Sequence, residues 1–275
     1  MFLDKLLASC RQNQSLLCIG LDPDPALAPL ELVGRADWAA RFGQGIVEAT
    51  ADLVCAYKPN LAFYEALGTA GWQALGATLA AIPRHIPVIA DAKCGDVGHS
   101  ARAYARALFD TLNVDAATVN PYLGFDSLEP FLAYRDRGIL VLCRTSNPGG
   151  ADFQDLPCRL DGQEMPLFEA VARRAVQWNR AGNVGLVVGA TYPTEVAAVR
   201  GIAPDLPLLI PGIGAQAGDL ASAVRAGVDR QGERVLIAVS RQVLYASRGT
   251  DWAAAARAAA LALRDAINQV RELQR

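Results

Sequence analysis

The sequence is short of the side chains that usually build metal and redox centres. It contains only two histidines, His85 and His99, and no two of its six cysteines form a Cys-x-x-Cys pair. Zinc and iron–sulfur sites are built mainly from clustered histidines and cysteines, so we expect no metal site and no metal cofactor. The lack of paired cysteine spacing also argues against a disulfide-stabilised secreted domain and favours the reducing cytoplasm.

The sequence also lacks a long apolar run and a strong net charge. No stretch approaches the roughly 20 apolar residues that a transmembrane helix needs, so we expect no membrane partner. The N-terminal residues 1–15 include Asp4 and Lys5 and predict a short amphipathic helix instead of a signal peptide. With 26 basic and 28 acidic residues the net charge is −2, which disfavours nucleic acid as a partner.

Lysine is rare as well. Only Lys5, Lys58 and Lys93 occur among the 26 basic residues, and all the others are arginine. Arginine stays charged and suits fixed ion pairs, whereas the compact ammonium group of lysine can give up a proton. The few lysines are therefore candidates for positions where a proton has to move.

The sequence is rich in short apolar, β-prone segments separated by segments with apolar residues at helical spacing. Such an alternation is typical of a parallel sheet covered on both faces, and eight units in about 250 residues predict a (β/α)8 barrel, the TIM-barrel fold. A doubly wound open sheet would more naturally carry Gly-x-Gly-x-x-Gly after the first strand, where this sequence has Gly-Leu-Asp-Pro-Asp-Pro. The predicted strands cover residues 16–22, 53–59, 85–93, 115–122, 138–144, 184–190, 206–212 and 234–240.

We predict a single domain over residues 1–275, because no linker or low-complexity segment divides the chain. Two connections are unusually long, residues 22–36 after the first strand and residues 144–166 after the fifth. Long connections without secondary structure are usually functional or disordered. Both leave their strands at the carboxyl ends, where barrel enzymes have their active sites.

Ionisable side chains are concentrated where the predicted strands end. Asp22 ends the first strand, Lys58 the second, and Asp91 and Lys93 the third, with Asp96 on the following turn. Asp91 and Lys93 are two residues apart, so they point to the same side of their strand, and the adjacent strand would bring Lys58 close to both. A structural ion-pair network is the plain alternative, but the strand-end location and the scarcity of lysine favour a catalytic cluster.

A phosphate site is predicted at the last two strands. The glycine-rich residues 211–219 follow the seventh strand, and Arg241 follows the eighth and begins a short helix. Barrels commonly bind phosphate there, with Gly212, Gly214 and Gly218 letting backbone N–H groups approach and Arg241 adding a fork of donors. The residues alone thus predict a cofactor-free barrel enzyme for a phosphorylated small molecule, with a lysine as acid or base.

Seven segments carry recognisable motifs: GLDPDP (20–25), AYKPNLAFYE (56–65), DAKCGDVG (91–98), NPYLG (120–124), LCRTSNPGG (142–150), PGIGAQAGD (211–219) and SRQVLYA (240–246). These segments resemble the orotidine 5′-phosphate decarboxylase family, in particular its longer bacterial subgroup. They occur in order at the predicted strand ends, so the resemblance covers the whole chain. It implies a carboxy-lyase that converts orotidine 5′-phosphate to UMP and CO2 in de novo pyrimidine biosynthesis, without metal or organic cofactor.

The resemblance implies catalytic roles for four residues. Lys93 would donate a proton to C6 of the pyrimidine, and Asp91 would lie against the substrate carboxylate. Lys58 and Asp96 would complete an alternating network of charges. Asp96 would be contributed by the second subunit of a homodimer with shared active sites.

The resemblance also implies residues that bind the substrate. Asp22, together with Lys58, would hold the ribose hydroxyls, and Ser146 would contact the amide edge of the pyrimidine. Gln216 and Arg241 would hold the phosphate.

Two residues depart from the pattern of this family. Ser100 stands where threonine is usual, and it keeps the hydroxyl group for the substrate-binding role that the resemblance implies. Cys94 stands where we expect a basic residue, and strand alternation turns it away from the mouth of the barrel. Neither change removes a group from the predicted reaction.

Three other functions fit a barrel with these residues. A Mg2+-dependent sugar-phosphate lyase or synthase of the same superfamily shares the Asp-x-Lys-x-x-Asp motif, and metal dependence separates it from a decarboxylase. A Schiff-base aldolase needs a desolvated neutral lysine, whereas two aspartates beside Lys93 favour its charged form. A non-catalytic barrel that binds a phosphorylated ligand is the remaining alternative.

Overall fold

The computed structural model describes residues 1–213 and 219–273. Apolar segments form its strands, and β1, β2, β4, β8 and β10 are buried along their whole length, as parallel strands covered on both faces require. The strands in the described residues are β1 (Leu17–Leu21), β2 (Ala56–Pro59), β3 (Ile89–Cys94), β4 (Ala116–Val119), β5 (Gly138–Arg144), β6 (Pro157–Leu160), β7 (Gln163–Pro166), β8 (Val184–Val188), β9 (Leu208–Pro211) and β10 (Val235–Val239).

Eight of these strands form the barrel. Parallel pairing runs in the order β2-β1-β10-β9-β8-β5-β4-β3. β2 and β3 then meet through two isolated bridges, Tyr57 with Val88 and Asn60 with Asp91, and the Tyr57 N–H donates to the Pro87 carbonyl at 3.0 Å. We call this junction the β2–β3 seam. It closes the sheet, so the fold is the predicted (β/α)8 TIM barrel.

Helices connect the strands and pack on the outside of the barrel, with their buried residues joined to the strands in one apolar core. Short 3-10 turns lie at Leu30–Leu32, Pro121–Leu123 and Pro148–Gly150, and a π-helical turn, Ala107–Thr111, extends α5. No helix of the described residues is long and apolar enough to cross a membrane. The helices are α1 (Phe2–Gln12), α2 (Trp38–Thr50), α3 (Leu61–Glu65), α4 (Gly68–Ala81), α5 (Gly98–Arg106), α6 (Phe125–Leu132), α7 (Ala151–Gln154), α8 (Leu167–Trp178), α9 (Pro193–Ile202), α10 (Leu220–Gly227), α11 (Arg241–Leu244) and α12 (Trp252–Glu272).

All eight predicted strands correspond to barrel strands, but several begin later than predicted. The second begins at Ala56 because the Leu53 N–H donates to the Thr50 carbonyl in the turn that ends α2. The third begins at Ile89, since the Ile86 N–H is used in a turn to Pro83. These flanking residues are apolar because they are buried, and burial alone does not distinguish a strand from a covered turn.

The connection after β5 is not without structure, which corrects the expectation for residues 144–166. It contains α7 and a hairpin in which β6 and β7 pair antiparallel. The two turn residues, Asp161 and Gly162, have φ values of 51° and 82°. Positive φ at both central residues is the type I′ turn that Asp-Gly favours, so this dipeptide is a hairpin signal between two strands too short and polar to be predicted from apolar runs.

The N-terminal segment forms α1, as predicted, and covers the barrel end where the strands begin. Lys5 Nζ lies 2.7 Å from both carboxylate oxygens of Asp115, immediately before β4. Phe2 packs over Gly138 at the start of β5, where a Cβ atom would come within 2.3 Å of the aromatic ring. α1 therefore closes this end of the barrel, and the opposite end is left open.

Candidate active site

A cavity of about 720 Å³ opens at the carboxyl ends of the barrel strands. The ends of successive parallel strands converge on one mouth, so polar residues from several strands share this space. Among the residues lining it are most of the predicted site residues, namely Asp22, Lys58, Asp91, Lys93, Ser146 and Arg241.

Lys58, Asp91 and Lys93 form an array of alternating charge in this cavity. Lys58 Nζ donates to Asp91 Oδ2 at 2.6 Å, and Lys93 Nζ donates to Asp91 Oδ1 at 2.6 Å. The Lys58 and Asp91 side chains are about nine-tenths buried, at 9% and 10% exposed, whereas the Lys93 side chain is 50% exposed. Lys93 is therefore the more exposed of the two ammonium groups that line the mouth.

Lys58 and Asp91 stay charged because neighbouring groups of opposite charge outweigh the cost of burying each charge. Burial by itself would raise the pKa of Asp91, but the Lys58 and Lys93 ammonium groups outweigh it and hold that pKa well below its usual range. Burial by itself would lower the pKa of Lys58, and the Asp91 and Asp22 carboxylates outweigh it and raise that pKa above its usual value. The buried pair in this site is thus the Asp91 carboxylate with the Lys58 ammonium group near neutral pH.

Asp22 lies beside this array and is held by two strand ends. Its Oδ2 accepts from the Ser240 hydroxyl at 2.6 Å, and its Oδ1 accepts from the Asn60 N–H at 3.3 Å. The Tyr245 hydroxyl donates to the Asp22 carbonyl at 2.8 Å and accepts from the Asp24 N–H at 2.7 Å. A carboxylate fixed in this way can accept hydrogen bonds from ligand hydroxyl groups.

Ser146 reaches the mouth on the connection after β5, which Arg144 anchors. The Arg144 side chain is 1% exposed, its Nε lies 2.9 Å from Asp155 Oδ1, and its guanidinium carbon lies 3.9 Å from the ring centroid of Tyr192. The Thr191 hydroxyl donates to the Ser146 carbonyl at 3.2 Å. These contacts fix the backbone at Ser146, which lines the cavity.

The predicted phosphate site is described in part. Gly212 and Arg241 line the cavity, and Arg241 is exposed and begins α11, as predicted. Gly212 follows β9 and Arg241 follows β10, which lie four and three strands around the barrel from β3. Gln216 lies outside the described residues, together with Gly214 and Gly218.

Sequence comparison agrees with this geometry. A family model described as "Orotidine 5'-phosphate decarboxylase / HUMPS family" matches residues 15–259. The chain belongs to this family. An orotidine 5′-phosphate decarboxylase of Dehalococcoides mccartyi is 53% identical over 271 residues, covering 98% of each chain. Another of Thermomicrobium roseum is 54% identical over 272 residues, covering 98% of this chain and 96% of its own.

A solved structure gives the same result for the fold. The OMP decarboxylase of Leishmania donovani superimposes with a TM-score of 0.85 at 43% identity, covering 98% of this chain and 99% of that chain. The predicted family and the predicted barrel are both confirmed.

Asp96 and Ser100, two residues that the family resemblance assigns to the site, do not line the cavity of their own chain. Asp96 Oδ1 accepts from the Val97 N–H at 2.7 Å, and Ser100 is exposed on α5. Cys94 is half-buried against the core, turned from the mouth as expected. The roles of Asp96 and Ser100 stay predictions, and the resemblance places Asp96 in the site of a second subunit.

The cavity is also lined by uncharged polar residues, which the pattern of charged strand ends does not indicate. Thr118 on β4 is 1% exposed and contacts both Asp91 and Lys93, while Asn60, Ser240 and Tyr245 surround Asp22. Two signals were available. Asn60 follows Lys58 by two residues and therefore shares its side of the chain, and Thr118 is a single hydroxyl in an otherwise apolar strand.

No group of three histidine, cysteine, aspartate or glutamate side chains among residues 1–213 and 219–273 could hold a metal ion. The independence from metal that the sequence predicts concerns activity, and an assay has to test it.

Proposed function

We propose that this protein decarboxylates orotidine 5′-phosphate to UMP and CO2, the last step of de novo pyrimidine synthesis, without a metal or organic cofactor. One observation supports this most strongly: the Lys58–Asp91–Lys93 array and Arg241 line the same cavity, and Arg241 begins α11 after β10, three strands around the barrel from the β3 strand of Asp91 and Lys93. A ligand with a reacting carboxylate at one end and a phosphate at the other spans this cavity. Membership of the family supports the same reaction.

The array suits a reaction that leaves negative charge on a carbon atom. When the bond from C6 to the carboxylate breaks, CO2 leaves and the electron pair stays on C6. The Lys93 ammonium group stabilises that charge and then transfers a proton to C6, which gives UMP and a neutral lysine. Because the Lys93 side chain is half exposed, it regains its proton from solvent.

Asp91 favours reaction by its position. The substrate carboxylate lies against the Asp91 carboxylate, and this repulsion is relieved as CO2 forms and leaves. The binding energy that holds the substrate there comes from remote groups, with Arg241 and Gln216 on the phosphate. Asp22 and Lys58 bind the ribose hydroxyls, Ser146 binds the amide edge of the pyrimidine, and Ser100 adds a hydroxyl.

The decisive experiment is an absorbance assay. The purified protein is first treated exhaustively with EDTA, and the decrease in orotidine 5′-phosphate absorbance is then followed. We expect full activity and stoichiometric UMP. Activity that disappears with EDTA and returns with Mg2+ would replace this proposal by the metal-dependent sugar-phosphate reaction, and no activity under either condition would leave a ligand-binding barrel.

We also propose that the protein is a homodimer with shared active sites. Asp96 does not line its own cavity, and apolar side chains next to it and on the neighbouring segments are exposed, including Val97 at 50%, Tyr122 at 78% and Phe125 at 41%. A second copy of the chain would cover these side chains and receive Asp96. In a two-fold dimer each residue that reaches across does so twice, giving two composite sites.

Mixing two inactive variants tests the shared site. In a mixed dimer of Lys93→Ala and Asp96→Asn subunits, one site carries both changes and the other is wild type. Random reassortment makes half of the dimers mixed, so about one quarter of all sites should be intact. Recovery of that activity after co-refolding supports the proposal, and no recovery with verified subunit exchange would contradict it.

A cytoplasmic location completes the proposal. All six cysteines lie in the described residues and are free. Burial raises the pKa of the Cys18 thiol and of the Cys143 thiol to about 12, so both stay protonated and act as apolar residues. Free buried thiols are typical of proteins from a reducing compartment.

A further inference from the structure

The candidate proton donor lies in an irregularity of the barrel. Ala90 of β3 pairs with Ala117 of β4, and Cys94 pairs with Val119. Three residues of β3 therefore lie between these pairs, where β4 has one residue, Thr118. A bulge of this kind interrupts the backbone ladder and redirects the side chains of the strand that carries it.

Lys93 has an unusual backbone conformation inside this bulge. Its φ is 48°, in the left-handed region. A residue with a Cβ atom is disfavoured there, and lysine has no short polar side chain that could compensate locally. Such a conformation persists only when the surrounding structure holds it in place.

Thr118 supplies the contacts that hold it. The Lys93 N–H donates to Thr118 Oγ1 at 2.9 Å, in place of a carbonyl on the neighbouring strand. The same hydroxyl donates its proton to Asp91 Oδ1 at 3.0 Å. Thr118 is 1% exposed and its β-branched side chain has few rotamers, so the hydroxyl has a fixed position.

One hydroxyl group thus connects the backbone of Lys93 to the carboxylate that its own side chain binds. Lys93 Nζ reaches the same oxygen, Asp91 Oδ1, at 2.6 Å. Without the hydroxyl, the Lys93 N–H would lose its partner and Asp91 Oδ1 would keep only the lysine. The ammonium group would then be free to leave the position that the bulge gives it.

We propose that Thr118 is a positioning residue for the decarboxylation step: its hydroxyl fixes the left-handed backbone of Lys93 and the orientation of Asp91, so that the ammonium group is aligned with the reacting carbon. This inference rests on the proposed function. It predicts a separation of kinetic parameters, because the groups assigned to the phosphate and ribose do not contact Thr118. A small misplacement of a catalytic group costs up to about 100-fold in rate, whereas binding through remote groups is unaffected.

The test compares the wild type with Thr118→Val, Thr118→Ser and Thr118→Cys. Valine has the shape of threonine without the hydroxyl, serine keeps the hydroxyl, and cysteine offers a weaker donor and acceptor. The matched control is Thr50→Val on α2, since Thr50 is 0% exposed and its hydroxyl contacts the Ile46 carbonyl and the Tyr57 hydroxyl at 2.7 Å each. For each protein, kcat, KM, the affinity for UMP and the thermal midpoint are measured.

We expect Thr118→Val to lower kcat by about 10- to 100-fold while KM and the affinity for UMP stay unchanged. Serine should restore most of kcat, cysteine should lie between serine and valine, and Thr50→Val should lower stability without changing kcat. If Thr118→Val does not fold, the ranking of serine above cysteine provides the test.

Other results would overturn the inference. These are an unchanged kcat in Thr118→Val, an equal loss of kcat in Thr50→Val, a parallel change in kcat and UMP affinity, or a serine variant no better than valine or cysteine. A wild type that does not decarboxylate the substrate would remove the proposed function itself, and this inference with it. An active wild type with an unimpaired Thr118→Val would remove this inference alone.

Discussion

The two ends of the barrel use basic side chains in opposite ways. At the end where the strands begin, Lys5 contacts both oxygens of Asp115, a carboxylate that also accepts from the Val88 N–H. At the same end the Arg200 guanidinium donates to backbone carbonyls, those of Ala203, Pro204, Leu206, Gly227 and Arg234. At the open end, Lys58 and Lys93 share the single carboxylate Asp91 and face a cavity.

The comparison shows that the type of interaction does not separate a structural charge from a catalytic one. Charge-assisted hydrogen bonds of similar length occur at both ends, 2.7 Å for Lys5 and 2.6 Å for Lys93. The difference is whether the donors of the cation are used up by fixed groups of the fold. Lys93 keeps donors for a ligand, whereas the donors of Arg200 are bonded to the chain itself.

Replacing Lys93 by alanine should have the largest effect on the open end. It removes the proposed acid, so kcat should fall by at least about 1,000-fold, within the range for a general acid. The half-exposed side chain leaves little cavity, so the thermal midpoint should change little. Lys5→Ala is the control, and it should keep full activity. Turnover remaining in Lys93→Ala would assign the proton to another group.

Arg241→Ala should have the next largest effect. We expect it to weaken UMP binding by about 2–4 kcal/mol, because a charge-assisted contact to phosphate is lost. Binding of uridine, which lacks the phosphate, should not change, and calorimetric titration of both ligands measures the difference. Equal losses for UMP and uridine would remove Arg241 from the phosphate site.

Arg200→Met, at the closed end, should lower stability and leave the kinetics unchanged. Several carbonyl groups lose their donor, so unfolding should become easier by about 2–4 kcal/mol in urea titrations. The values of kcat and KM should equal those of the wild type at temperatures where the variant is folded. A kinetic defect in this variant would show that the two ends are coupled.

The smallest expected effect is a difference in acid sensitivity. The pKa of Asp91 in the folded protein lies below its unfolded value, so its stabilising contribution is complete above about pH 4 and is lost as the pH falls further. The stability of the wild type should therefore decrease more than that of Asp91→Asn on acidification, by the order of 2 kcal/mol. The exposed ion pair of Asp37 with Arg41 is the control, and Asp37→Asn should change the slope little because solvent screens that pair. Parallel pH curves for wild type and Asp91→Asn would contradict the lowered pKa.

Local patterns predicted the parts of the structure that depend on local rules. The apolar alternation predicted eight strands, and strand ends in a barrel converge, so Asp22, Lys58, Asp91 and Lys93 could be placed at one mouth from their sequence positions. Helical spacing and the charges at residues 1–15 predicted α1. The Asp161–Gly162 turn is equally local, but the strands that it joins lack the long apolar runs from which the barrel strands are predicted.

The remaining features depend on cross-strand register, which the sequence does not state. The bulge at Lys93 exists because β3 and β4 are paired with an offset, so neither the left-handed backbone nor the bond to Thr118 follows from the residues around Lys93. The sequence predicts Arg144 only as the end of a strand. In the structure it is buried between Asp155 in the connection after β5 and Tyr192 in the connection after β8. Contacts between segments far apart in sequence decided these positions.

The β2–β3 seam, where two isolated bridges take the place of a continuous ladder, has a consequence for the motions of the barrel. The Lys58–Asp91 ion pair crosses this seam at 2.6 Å, so two proposed catalytic residues also join β2 to β3. A ligand that immobilises Lys58 should make local opening of the β2–β3 seam less frequent. We expect the Tyr57 amide, which points to β3 and not to the ligand, to exchange its hydrogen for deuterium more slowly when UMP is bound. Hydrogen exchange at the Tyr57 amide in β2 would then report whether the active-site cavity is occupied.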